Sequence, residues 1–357
     1  MAWKGLVARY GERMAIDGVD SPVSLCEGNT PLIPAPAVSE WLGGANVFLK
    51  YEGLNPTGSF KDRGMTAAVT HAKAHGVEAV ICASTGNTSA SAAAYAARAG
   101  MKCYILVPAG KVALGKLAGS LAYGGQVIEI DGSFDRALEL VQELSSKYPI
   151  ELVNSLNPAR LEGQKTAAWE VCEQLGEIPD WLSLPVGNAG NISAYWLGFQ
   201  ECERGICTHF CNKKCEVLPK LFGTQASGSA PIVTGKKVDH PETKATAIRI
   251  GNPARWQQAL TALDQSGGQI TSATDEQIYE AYGFLARNEG VFCEPSSAAS
   301  VAGLRKATQN GLNLKGQTVV CVLTGHGLKD PDSAFEISMP IISSEGRIEA
   351  LAKALDL

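Results

Sequence analysis

The chain has 357 residues, 45% of them hydrophobic and 19% charged, with 31 Lys+Arg against 36 Asp+Glu for a net charge of −5. That length holds roughly two domains, and the composition is that of a globular protein, neither disordered nor fibrous. The acidic balance supplies no basic field for a phosphate backbone, and no apolar run reaches the roughly 18–20 residues that span a bilayer.

Chemistry-bearing punctuation begins early, with Asn55-Pro56-Thr57-Gly58 as a turn before a helix that opens at Lys61 and continues through Met65, Ala67 and Val69. Val77 to Ala83 reads as a strand, Ser84-Thr85-Gly86-Asn87-Thr88 as the junction after it, and the small residues to Arg98 as a helix stopped by Gly100. Strands then follow at Cys103 to Val107, Val127 to Ile130 and Glu151 to Val153, with an amphipathic helix from Phe134 to Ser146. The pattern restarts with a strand at Trp181 to Val186, the loop Gly187-Asn188-Ala189-Gly190-Asn191 and a helix from Ile192. Ala245 to Ile250 is a strand candidate. Thr274 and Gln277 have capping-box spacing for a helix to about Arg287, and Val319 to Leu323 is a buried-type strand ending at Thr324-Gly325-His326-Gly327. This alternation predicts an α/β fold, with two mostly parallel sheets flanked by helices and a ligand site in the cleft between them.

Four loops carry chemistry. Lys61, at a helix N-terminus that disfavours positive charge, has the position of an amine with a lowered pKa, suited to Schiff-base formation; taken singly it also reads as a solvated lysine. Gly187, Asn188, Ala189, Gly190 and Asn191 let backbone N–H groups converge on a monoester phosphate, or else form a plain tight turn. Ser84 and Thr88 offer hydroxyls beside Asn87, or a simple N-cap. Thr324 places a hydroxyl at a strand end. An amine, a phosphate cradle, a donor for a phenolate oxygen and a hydroxyl for a ring nitrogen together make the inventory for pyridoxal 5′-phosphate.

The segments 55–64 (NPTGSFKDRG), 84–88 (STGNT), 187–191 (GNAGN) and 323–330 (LTGHGLKD) resemble, in order, those of the threonine synthase family, within the tryptophan-synthase-β-like (fold-type II) pyridoxal-phosphate enzymes; the resemblance covers roughly residues 25 to 335. It implies a larger cofactor-binding domain of residues 1–58 with 152–357 and a smaller domain of residues 59–151. Lys61 would bind the cofactor and move protons, Asn87 would meet its O3′, residues 187–191 its phosphate and Thr324 its N1. The implied reaction turns O-phospho-L-homoserine and water into L-threonine and phosphate. Asn154, Ser155 and Arg160, with Asn188 nearby, would hold the substrate phosphate, and Ser84 and Thr88 its carboxylate. His326 is not expected to be a base.

A cytoplasmic homodimer with a small-molecule substrate, and no nucleic-acid or membrane partner, is expected. Met-Ala-Trp-Lys-Gly-Leu has no export signal. About 25 residues precede Glu27-Gly28-Asn29-Thr30-Pro31, too few for the S-adenosylmethionine-regulated extension of plant members, so no such activation is expected. A threonine or serine ammonia-lyase of the same fold is the alternative. The second alternative is a non-catalytic metal or redox protein built around Cys202, Cys207, Cys211 and Cys215 with His209. Their spacing is looser than zinc pairs usually show, so they read as free thiols, ahead of a disulfide or a metal site.

Overall fold

The computed structural model describes residues 2–110, 114–203, 217–337, 341–355 and 357. Among the described residues, ten strands form two sheets. The six-stranded sheet draws on β1 (Leu32–Pro34), β2 (Asn46–Tyr51), β7 (Trp181–Pro185), β8 (Lys220–Ala226), β9 (Gln269–Ala273) and β10 (Thr318–Leu323), in the order β1-β2-β10-β7-β8-β9. The four-stranded sheet comprises β3 (Ala79–Ala83), β4 (Lys102–Pro108), β5 (Gln126–Ile130) and β6 (Glu151–Leu152), ordered β5-β4-β3-β6. Every pairing is parallel except β1 with β2. Helices cover such sheets on both faces, which is why β3 and β7 are buried along their whole length and apolar except for Ser183.

Small residues set how closely the helices over the site approach. The Lys61–Ala74 helix and the Pro158–Leu175 helix cross where a Cβ on Gly163 would lie 1.9 Å from the Arg63 carbonyl oxygen, and one on Gly64 would lie 2.9 Å from Arg160 Nε. Neither position tolerates a side chain without the helices parting. The Asn87–Ala99 helix, mostly Ala and Ser, buries most of its length and ends at Gly100, whose φ of 72° makes a left-handed cap. Thr274 and Gln277 form the reciprocal capping box ahead of the Asp275–Asn288 helix.

One element differs from expectation. Ala245 to Ile250 is no strand but a 3-10 turn at Thr246–Ile248. Its apolar residues Ala245 and Ile248 fall three apart and are both buried, the spacing of one tight turn and not of a pleat. Cys207, Cys211, Cys215 and His209 lie outside the described residues; Cys202 is buried in the Gly190–Glu203 helix.

Candidate active site

The loop that delivers Lys61 is fastened to the end of β10. Gly58 adopts φ 84°, its carbonyl accepts from the His326 amide at 2.9 Å, and the Phe60 amide donates to the Thr324 carbonyl at 2.9 Å. The buried Asp62 carboxylate accepts from Thr57 N–H and from Ser91 Oγ, locking the turn ahead of the helix to the Asn87–Ala99 helix. Lys61, first residue of its helix, thus lies at the C-terminal edge of the larger sheet. Burial, and after it the Arg160 guanidinium, lowers the Lys61 amine from 10.5 to about 7 against an opposing pull from Glu294. The depression expected from the helix end is present, but its cause is burial beside a second cation.

Asn87 and Thr324 converge on a residue that no sequence motif singled out. The Asn87 amide donates to Glu294 at 3.1 Å, and Thr324 Oγ1 donates to Glu294 Oε1 at 3.3 Å while contacting Ser297 Oγ at 3.0 Å. Glu294 is buried, and burial raises its pKa despite these hydrogen bonds. The only sequence signal was a lone acid ahead of Pro295 and a helix of small buried residues.

The loop between β7 and the Gly190–Glu203 helix has the features of an anion cradle. Ala189 takes φ 62°, a Cβ on Gly187 would press at 3.3 Å on both the Ala247 oxygen and Ile248 Cα, and buried Asn191 Nδ2 has no hydrogen-bond partner. The turn at Thr246–Ile248 therefore forms one wall of this loop. A positive φ at Ala189 and an unspent amide donor at Asn191 fit a bound phosphate. Together with the depressed Lys61 amine, the residues present suit pyridoxal 5′-phosphate.

The second anion group sits at the start of the Pro158–Leu175 helix. Arg160 is 1% exposed, donates from Nη1 to the Val153 carbonyl at 3.0 Å, and leaves Nε and Nη2 without partners. Burial lowers its pKa to about 10, and neighbouring Arg255 acts in the same direction. Arg255, also absent from the motif reading, ties the two loops together. It donates to the Ser155 and Leu156 carbonyls at 2.9 and 3.1 Å, and its amide donates to the Asn188 carbonyl at 3.2 Å. Asn154 spends its amide oxygen and one N–H on the Ala83 backbone, both at 2.9 Å, so it fixes the end of β3 and has one N–H left. Ser84 and Thr88 flank Asn87 at the other side of that strand end, Ser84 Oγ accepting from the Gly86 amide. His326 is stacked on Tyr51 with Phe292 edge-on, and its Nδ1 accepts from the Leu328 amide, which places it as a wall.

Comparison with known proteins agrees with this arrangement. Residues 23–325 match the family model described as pyridoxal-phosphate dependent enzyme. The chain is 55% identical to a threonine synthase of Synechocystis over 99% of its own length and 91% of that protein's. It is 50% identical to the threonine synthase of Methanocaldococcus jannaschii, over 98% and 87%. Among solved structures, a tomato threonine deaminase superposes with a TM-score of 0.73 at 22% identity, covering 93% of this chain and 92% of that one. A maize serine racemase gives 0.71 at 21%, covering 87% and 91%. These two likenesses concern the fold alone. The family match and the 50–55% identity to curated relatives over nearly the whole chain place this α/β chain in the pyridoxal-phosphate-dependent enzymes of fold type II, among the threonine synthases.

Proposed function

We propose that the substrate is O-phospho-L-homoserine, converted with water to L-threonine and phosphate, and that Lys61 is the group that moves protons. Lys61, residues 187–191, Asn87 and Thr324 would hold pyridoxal 5′-phosphate, which would supply the electron sink for negative charge at the substrate Cα. An amine lowered to about 7 is substantially neutral at physiological pH, so Lys61 can accept a proton from Cα and then from Cβ without a separate base. Ser84 and Thr88 offer donors for the substrate carboxylate. Arg160, backed by Ser155, Asn188 and the remaining N–H of Asn154, grips the phosphate and holds it as it leaves Cγ. Water then adds at Cβ, its proton leaving with the phosphate, and Lys61, which carries one such proton at a time, returns protons to Cγ and to Cα.

The observation that carries this reading is Arg160. A buried guanidinium with two unspent nitrogens and no carboxylate contact costs several kcal/mol unless an anion arrives, and a phosphate ester is the anion its fork matches. The reading extends to the division into residues 1–58 with 152–357 and residues 59–151, supported by the separate sheets, and to a cytoplasmic homodimer, as in the resemblance. Among the described residues, no helix is long and apolar enough to cross a membrane.

Purified holoenzyme should release inorganic phosphate from O-phosphohomoserine with stoichiometric threonine, and Lys61→Ala should lose this turnover by at least about three orders of magnitude. Release of 2-oxobutyrate from threonine, with no phosphate from the ester, would instead identify an ammonia-lyase.

A further inference from the structure

At the far end of the Lys61–Ala74 helix, His71 and His75 stand one turn apart and face Asp17 of the N-terminal segment. One ring nitrogen of each histidine and one Asp17 oxygen all lie within 4.8 Å of one another. Asp17 Oδ2 is 2.9 Å from His75 Nε2 and 3.7 Å from His71 Nδ1. Ligands bound at 2.0–2.1 Å to a tetrahedral or octahedral ion lie about 3.0–3.4 Å apart, a range these two separations bracket. The two imidazoles are at the i, i+4 spacing that puts side chains on one helix face.

The third ligand is held in place. Gly18 adopts φ 81° and lies so close to the helix that a Cβ there would meet Ala74 Cβ at 2.9 Å and the Thr70 carbonyl at 3.0 Å. Five residues on, the Val23 amide donates to Thr70 Oγ1 at 3.0 Å and the Val23 carbonyl accepts from Thr66 Oγ1 at 2.7 Å. The Asp17 amide itself donates to His71 Nδ1 at 3.1 Å, which holds the ring against residue 17. An ion taking this nitrogen gives up one neutral hydrogen bond, small beside a metal–imidazole bond.

We propose that Asp17, His71 and His75 form a binding site for a divalent transition ion of the zinc class, completed by water, that staples residues 17–23 to the end of the helix bearing Lys61. Two imidazoles and one carboxylate suit zinc, nickel or copper and not magnesium or calcium, which prefer oxygen. Ten residues of helix separate His71 from Lys61, about 15 Å, so the ion takes no part in catalysis. Its effect is on stability, because it binds the folded chain and not the unfolded one.

The test uses chelator-treated holoenzyme titrated with Zn2+, alongside Asp17→Asn and His75→Gln. All three side chains are partly or largely exposed, so both variants should fold. The wild type should bind one more ion per chain than either variant, or bind it at least tenfold more tightly, and its melting temperature should rise with Zn2+ more than theirs. Zinc held by cysteines elsewhere is common to all three proteins and subtracts out. Equal stoichiometry, affinity and melting shift in wild type and variants would overturn the proposal.

Discussion

Two arginines, Arg63 and Arg160, are each 1% exposed and sit on helices that touch, yet their surroundings are opposite. Arg63 donates from Nε to Glu52 at 2.6 Å and from Nη1 and Nη2 to Glu170 at 2.8 and 2.6 Å, with Thr30 and Thr166 taking further contacts. Lys50 adds a second cation to Glu170 at 3.0 Å. Burial pushes the Glu170 carboxyl up, but Arg63 and Lys50 outweigh it and hold it at about 2. Arg63 itself lies well above its ordinary value, whereas Arg160 lies below it. A guanidinium whose nitrogens are spent on carboxylates is part of the scaffold, and one whose nitrogens are left over is reserved for an anion. The first cluster ties the Pro158–Leu175 helix to the Lys61 helix; the second faces the space that this tie creates.

The contrast can be broken from either side. Arg63→Met leaves Glu52 and Glu170 buried without their main partner, and unfolding free energy should drop by about 3–5 kcal/mol, measured by denaturant titration of the holoenzyme. The loss should be largest near neutral pH. Because the folded Glu170 titrates at about 2, below its ordinary 4.5, its contribution is full above about 4.5 and is lost as pH falls through 2 in the wild type. A variant as stable as the wild type would mean that the cluster is not holding the helices together. Arg160→Gln removes a charge that no carboxylate contacts. Its melting temperature should stay level or rise, while kcat/KM for the phosphate ester falls by about 2–4 kcal/mol, roughly 30- to 1000-fold. If Arg160→Gln instead unfolded the protein and left turnover intact, the two arginines would have exchanged roles.

What the sequence disclosed about the site divides along similar lines. Lys61, Asn87, residues 187–191 and Thr324 were legible because Gly, Pro, Asn and Ser mark strand-to-helix junctions whose conformations few other residues adopt, and a parallel sheet brings such junctions to one edge. The family motifs then supplied roles that spacing alone left open. Glu294 and Arg255 were not legible. Their contacts, to Asn87 and to the Ser155 carbonyl, bridge residues 207 and 100 apart in the chain. Asn154 was legible as a polar residue near the site but not as one spent on the Ala83 backbone, because only the register of β3 against its neighbour decides which amides remain free. The strand expected at Ala245 to Ile250 failed for a local reason: four apolar residues in six fit a period of two or three equally well, and burial selected three.

The smallest expected effect joins the two anion-side groups. Lys61 titrates at about 7 in place of 10.5, so the folded chain carries a destabilising, half-buried and desolvated amine whose cost is full below pH 7 and eases as pH rises from 7 toward 10.5. In cofactor-free protein the same shift fixes how fast Lys61 captures pyridoxal 5′-phosphate: the covalent loading rate should climb about tenfold per pH unit below 7 and level off above it, where an ordinary lysine would still be climbing. Arg160 is the second cause of the depression, so Arg160→Gln should move this bend to higher pH while leaving its shape unchanged. Stopped-flow absorbance across pH 5.5 to about 9.5 reads both proteins. A bend that stays in place in the variant would assign the depression to burial alone, and would separate the anion group from the amine it stands beside.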